Sequence, residues 1–410
     1  MKQIQNKEQV KIVIVGHMDH GKSTLIGRLL YDTNSLPQGK IEEIIRVSKE
    51  LGRELEFAYL IDNLEEEREQ QLTMDTAQTF FKTKNRNYVI IDAPGHKEFI
   101  KNMITGASQA DAAVLLLDAK EGIKEQTRRH AYILKLLDIK NLIVAVNKMD
   151  LIDYNELKFN KIKQEILGSL SKIGLNPDFI IPISALKGEN ILNKSTNMNW
   201  YGNLAILEAL DKFEIENKIK NHLRMPIQDI YNIDNKKIIV GKVESGKVKV
   251  GDEIKILPIN RNYMVKSIEI FNSKKDFAMT GENIGLTLDP DYDVRVGMII
   301  SHNKNLPQVK KEFNAKLFWM NNELNLNEEL ILKCATQEIK CKVKKINKRI
   351  DSSNLDIIEE DAKILKETEV GEVVIETEKE IVVENFNDLP ELGRFVIIKN
   401  LDISGAGIIN

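Results

Sequence analysis

Three clusters of residues in this chain have the types and spacing that phosphate and purine chemistry require. The first is Gly16-His17-Met18-Asp19-His20-Gly21-Lys22-Ser23, a match to G-x-x-x-x-G-K-[ST]. A glycine at each end lets the backbone turn tightly and aim its N–H groups at phosphate oxygens, helped by the helix N-terminus that follows. Lys22 is placed to reach the β- and γ-phosphates and Ser23 to ligate Mg²⁺. Gly16, His17, Asp19, His20, Gly21, Lys22, Ser23 and Thr24 form the expected phosphate-binding set.

The second cluster is Asn147-Lys148-Met149-Asp150. A carboxylate at Asp150 can accept from guanine N1–H and N2–H₂ together, a pair of donors that adenine lacks. ATP would leave that carboxylate unmet, so the spacing favours GTP. Ser184-Ala185-Leu186 could bring a backbone N–H to guanine O6. The third cluster, Asp92-Ala93-Pro94-Gly95-His96, reads the γ-phosphate end. Asp92 would hold Mg²⁺ through water, the Gly95 amide could bond the γ-phosphate, and His96 would stand near the attacking water as the catalytic group. Whether His96 acts as general base, water orienter or positioning group stays open. Thr73 is the candidate second hydroxyl on Mg²⁺; on that reading Tyr31–Thr73, which lacks clear periodicity from Tyr31 to Gln71, is ordered by the γ-phosphate and released after hydrolysis.

Each cluster needs a strand to deliver it. Apolar runs of strand length occur at Val10–Val15, Tyr88–Ile91, Ala112–Leu117, Leu142–Val146 and Phe179–Ile183. Helical patterns fall between or after them, at Ser23–Leu30, Glu98–Ile104, Thr127–Leu137, Leu157–Ile173 and Leu204–Lys212. Near-continuous apolar strands separated by amphipathic helices predict a parallel sheet covered on both faces, and ligands of such sheets bind at the strands' carboxyl ends. The motifs follow Val15, Ile91, Val146 and Ile183, which is that edge.

Beyond the charged segment 213–223, read as a linker, the texture changes to short β-rich runs. Lys237–Val243, Lys247–Val250, Glu253–Leu257 and Val265–Phe271 are punctuated by glycines at 241, 246, 251, 281, 285 and 297, which predicts an antiparallel barrel. After Pro307 come Glu328–Cys334, Glu338–Ile346, Glu372–Thr377 and Arg394–Lys399. The expected architecture is an α/β P-loop GTPase domain over 1–212 followed by two antiparallel β-barrel domains over 224–306 and 307–410.

With 410 residues, 42% hydrophobic and 30% charged, the chain can bury sizeable cores. Its net charge of −3 removes whole-chain attraction to DNA or an anionic membrane as the leading idea. No stretch approaches an apolar membrane span, and the N-terminus lacks a signal-like apolar core, so a soluble, reducing, cytoplasmic setting is expected. Cys334 and Cys341, the two cysteines, read as buried thiols on opposite faces of a single strand; Trp200-Tyr201 and Trp319 read as core or domain-interface aromatics.

The order phosphate loop, Thr73, D-x-P-G-H, N-K-x-D, S-A-L resembles the translation-factor class of GTPases along the whole chain. Phe99–Gly106 is similar to the segment after the switch-two histidine in elongation factors Tu and 1-alpha, and Pro226–Tyr231, Leu392–Phe395 and Gly405–Gly407 to parts of their two barrels. Within that class, Gly27–Thr33 with Leu36-Pro37, Glu67–Gln70, Asp75–Ala77 and Phe318-Trp319-Met320 resemble the GTPase (large) subunit family of bacterial sulfate adenylyltransferase. That resemblance implies a separate small ATP-binding subunit that activates sulfate to adenylyl sulfate and pyrophosphate, driven by GTP hydrolysis here. The chain stops shortly after the third domain, so no fused adenylyl-sulfate kinase is expected. Gln71 departs from the glycine common at that position. The other expectation is an elongation factor delivering aminoacyl-tRNA, which shares every nucleotide motif.

Overall fold

The computed structural model describes residues 9–17, 19–36, 39, 78–92, 110–214, 222–233, 236–270, 273–289 and 294–410, the side chains of Gln78, Asp92, Ser273 and Lys274 excepted. The chain divides into two compact units, Met1–Ile215 with Ser352–Asn354, and Glu216–Asp351 with Leu355–Asn410.

The first unit is built on a six-stranded sheet of β1 (Gln9–Gly16), β2 (Gln78–Lys82), β3 (Asn87–Asp92), β4 (Ala112–Asp118), β5 (Asn141–Asn147) and β6 (Phe179–Pro182). Their order across the sheet is β2-β3-β1-β4-β5-β6, every pair parallel except β2–β3. Every residue of β4 is buried, as a strand covered on both faces requires. Consecutive strands β3 and β4 flank β1, so the carboxyl end of β1 lies at a topological switch point.

Helix α1 (Lys22–Asp32) buries Leu25, Ile26, Leu29 and Leu30. Helix α2 (Glu125–Leu136) follows β4. Helix α3 (Glu156–Lys172) forms where Phe159, Ile162, Ile166 and Leu170 recur at helical spacing and all become buried. Asn155 caps it by accepting from the Lys158 N–H at 3.0 Å, and Glu156 and Lys172 complement its dipole at either end. A short α4 (Ile206–Asp211) closes the domain. The strand β2 escapes the sequence patterning because it is a five-residue antiparallel edge; it is fixed by packing, Phe81 stacking on Tyr88 at 4.8 Å. The Glu98–Ile104 helix expected from the sequence lies outside the described residues.

The second unit holds two closed barrels. In the first, Arg224–Ile233, Lys236–Lys242, Glu253–Leu257, Arg261–Ile270, Asn283–Asp289 and Ile299–His302 pair antiparallel in a ring, closed where Glu253–Leu257 meets Arg261–Ile270. Of the glycines that punctuate this stretch, Gly246, Gly251, Gly281 and Gly297 take left-handed backbone at turns. Gly241 instead sits inside a strand, where a Cβ would lie 2.3 Å from the Pro226 carbonyl oxygen. The second barrel is ringed by Gln308–Trp319, Leu330–Cys334, Gln337–Asp351, Glu369–Val383, Arg394–Lys399 and Asp402–Ile409. Phe213 and Leu223, read as linker ends, are both buried, each in its own unit's core.

Cys334 and Cys341 require a correction. They occupy two adjacent antiparallel strands rather than one, because the chain turns back at Ala335, whose φ is 51°, two residues before Gln337 pairs with Cys334. Both thiols point into the same core, free and buried. Burial pushes each up to about 12.

The barrels are joined inside this unit by Arg224. Its guanidinium donates to Glu384 Oε1 at 2.7 Å, Ser301 Oγ at 3.0 Å and the carbonyls of Leu223 and Asn305. An apolar cluster of Leu257, Ile299, Val382, Leu389 and Leu392 packs across the same seam. Among the described residues no helix is long and apolar enough to cross a membrane.

Candidate functional site

The phosphate loop links the end of β1 to the start of α1. Gly21 is the residue before the helix and has φ 92°; a Cβ there would lie 2.5 Å from Asn147 Nδ2. A Cβ on Gly16 would lie 2.7 Å from the Leu116 carbonyl oxygen. Close approach therefore demands glycine at both positions, and left-handed backbone demands it again at Gly21. Lys22 Nζ folds back across the loop, donating to the carbonyls of Gly16 at 2.9 Å and His17 at 3.0 Å. Ser23 and Thr24 are half-buried in the first turn of the helix, and Asp19 is exposed at the loop's tip.

The two loop histidines have structural neighbours. His17 Nδ1 pairs with Gln126 Oε1 on α2 and its ring meets His20 edge-on at 5.2 Å. His20 is fully buried with Nδ1 on the Leu116 carbonyl, and burial lowers its pKa. Behind them His130 on α2 is pushed down to about 3 by burial, so it stays neutral, and its Nδ1 has no partner among the described residues.

The residues expected to read the base meet at the ends of β5 and β6. Asn147 is buried, donating through Nδ2 to the His20 carbonyl at 2.9 Å and accepting at Oδ1 from the Ala185 N–H at 2.9 Å. It braces the phosphate loop and the Ser184–Leu186 loop against each other. Its neighbour Lys148 takes left-handed backbone, φ 62°, and its ammonium lies 2.8 Å from Asp118 Oδ2. Asp150 Oδ1 accepts from Ser184 Oγ at 2.6 Å, and the Lys187 N–H donates to that same hydroxyl at 3.2 Å. Leu186 is exposed beside them.

The geometry thus brings Gly16, His17, Asp19, His20, Gly21, Lys22, Ser23, Thr24, Asn147, Lys148, Asp150, Ser184, Ala185 and Leu186 to one edge of one sheet. Asp92 ends β3 at that edge, though its side chain is not among those described. Thr73, Gly95 and His96 lie outside the described residues, as do Met18 and Gln71. Sequence reasoning missed Asp118, Glu121, Gln126 and His130. Only Asp118 left a signal: an acid that ends a buried strand and is followed four residues later by Gly122.

Trp200 and Tyr201 are half-buried against Phe159, donating to the carbonyls of Tyr154 at 3.0 Å and Ile180 at 3.1 Å. Trp319 is fully buried in the second barrel.

A glycine-bounded anion loop at a sheet's switch point, with a carboxylate and hydroxyl at the next strand ends, defines a P-loop nucleotide-binding domain of the GTPase class. The sequence places it more closely. Residues 7–216 match the elongation factor Tu GTP binding domain, 236–312 elongation factor Tu domain 2, and 312–410 the GTP-eEF1A C-terminal domain-like family. The chain is 39% identical to elongation factor 1-alpha of Pyrococcus woesei over 415 residues, covering 97% of this chain and 96% of that protein. It is 39% identical to the Methanocaldococcus jannaschii protein of the same name over 96% of this chain and 95% of that one. For Archaeoglobus fulgidus the values are 38%, 99% and 98%. The chain belongs to the elongation factor Tu/1-alpha family of GTPases.

Proposed function

We propose that this chain is a translation-elongation-factor-like GTPase that carries aminoacyl-tRNA in its GTP form and lets it go after hydrolysis. The observation that supports this reading is the similarity to relatives named elongation factor 1-alpha across both barrels as well as the GTPase domain. In this reading Asp150, its Oδ1 fixed by Ser184, presents its carboxylate to guanine, with a backbone N–H of the Ser184-Ala185-Leu186 loop toward O6. Lys22 and the loop amides of Gly16–Thr24 take the phosphates. Mg²⁺, a hard cation suited to hydroxyl oxygen, would be held by Ser23 and Thr73, with Asp92 through water, and would neutralise phosphate charge. The Gly95 amide meets the γ-phosphate and His96 the attacking water.

A second reading, the GTPase subunit of sulfate adenylyltransferase with a small ATP-binding partner, is favoured by the Gly27–Thr33 and Phe318-Trp319-Met320 similarities. All three residues of the latter motif are buried, and Trp319 lies in the core of the second barrel. One experiment separates the readings. The purified chain with GTP is given aminoacyl-tRNA, and protection of the aminoacyl ester from hydrolysis is measured. In parallel it is given the small subunit, ATP, sulfate and Mg²⁺, and adenylyl sulfate is measured with GTP or a non-hydrolysable analogue. GTP-dependent ester protection supports the carrier. Its absence, with GTP-stimulated adenylyl sulfate formation, replaces the carrier reading by the sulfate one.

A further inference from the structure

We infer that Asp118, which belongs to none of the nucleotide motifs, is a positioning residue for guanine-nucleotide binding, holding Lys148 of the base loop. The inference rests on reading the sheet edge as a guanine-nucleotide site.

Its place follows from the topology. Strand β4 lies between β1 and β5, with Leu116 in register with Gly16 on one side and Asp118 in register with Asn147 on the other. A side chain at the end of β4 is therefore flanked by both loops. The Asp118 side chain is 4% exposed, and each oxygen has its own duty. Oδ1 accepts from the backbone N–H of Lys120 at 2.6 Å and of Glu121 at 3.2 Å, shaping a turn that the Gly122 N–H closes onto the Asp118 carbonyl at 2.9 Å. Oδ2 faces the Lys148 ammonium at 2.8 Å. The turn in its course sets Glu121 with its carboxylate 3.7 Å from His20 Nε2 on the phosphate loop and 3.5 Å from Lys124 Nζ.

Two physical points make this more than a structural ion pair. Lysine is a long, rotamer-rich side chain on a backbone of the left-handed kind, so untethered it would sample many positions beside Asp150. Pinned by a buried anion, its alkyl stem, 30% exposed over the whole side chain, becomes a fixed wall at the base end of the pocket. Burial by itself would raise the Asp118 pKa. The Lys148 ammonium and the Lys120 and Glu121 amides outweigh it and hold the carboxyl below its ordinary value, so the tether is charged throughout the neutral range.

The test uses the full chain and release of a fluorescent GDP. Asp118→Asn keeps an oxygen for the two amides and removes the anion facing Lys148. Release is expected to quicken about 10-fold, the scale of one charge-assisted bond, with association little changed. In a Lys148→Met background, Asp118→Asn should add no further change. A residue that only stabilised the domain would accelerate release equally in both backgrounds, and that additivity overturns the inference, as does wild-type release in the single variant. If the Asn variant does not fold, Asp118→Glu replaces it: the charge is kept but displaced, and faster release supports positioning whereas wild-type release overturns it. A wild-type chain that takes up no guanine nucleotide overturns the pocket reading itself, and so is distinguishable from failure of Asp118 alone.

Discussion

Asp150 and Ser184 share a 2.6 Å hydrogen bond that does more than satisfy a carboxylate. Because Ser184 donates to Oδ1, an amide placed there would turn its carbonyl to the hydroxyl and its NH₂ to the base. Asp150→Asn is thus expected to weaken GTP and favour xanthosine nucleotides, whose C2 carbonyl accepts from that NH₂. Competition binding among GTP, ATP and XTP checks it, and an unchanged preference would remove Asp150 from the base site. Lys22 and His96 should fail differently. On the proposed reading Lys22 serves phosphates in ground and transition states, and it also bridges the loop carbonyls of Gly16 and His17, so Lys22→Ala should abolish nucleotide binding. On the same reading His96 serves the attacking water, so His96→Ala should bind GTP almost normally and hydrolyse it roughly 10²-fold more slowly or worse. Single-turnover hydrolysis at saturating GTP decides; a wild-type rate would refute the assignment.

Loops rather than single residues carry the next prediction. Gly21 is both left-handed and pressed against the Asn147 amide, so Gly21→Ala strains the turn by about 1–2 kcal/mol and pushes away the brace to His20. Nucleotide affinity should fall at least ~10-fold, while the circular-dichroism spectrum keeps its helix and strand content. A variant that binds GDP as tightly as wild type would show that the loop relaxes freely. At this scale the sequence was readable wherever period and motif coincided. The apolar runs of β1, β3, β5 and β6 read as buried parallel strands, and each motif followed one of them. What could not be read was what tertiary approach decides. β2 is an edge held by Phe81 on Tyr88 rather than by its own pattern. Asn147 looks like a ligand in N-K-x-D and is, in space, a cross-brace between loops. Asp118, a lone acid after a strand, looks like any turn until Lys148 is seen to fold back onto it.

At the scale of the molecule, glycine-punctuated β texture foretold barrels, but no local rule could say which strands close each ring or that one arginine would bolt them together. Arg224 is 6% exposed and Glu384 16%, so the pair sits where an orphaned charge is expensive. Glu384→Gln is expected to lower the stability of the two-barrel unit by about 3 kcal/mol, read as a lower melting temperature, with GDP affinity of the first unit unchanged. A melting curve that superimposes on wild type would mean water or another acceptor takes over. The two cysteines supply a further, quite different handle. Both thiols of the chain lie in one barrel core on paired strands, and burial leaves essentially no thiolate at neutral pH. They are silent until that barrel breathes. An alkylating reagent added under native conditions therefore acts as a clock on opening. One shared time constant for Cys334 and Cys341 would mean that the ring parts as a unit, and two would mean that the strand from Leu330 to Cys334 peels away on its own.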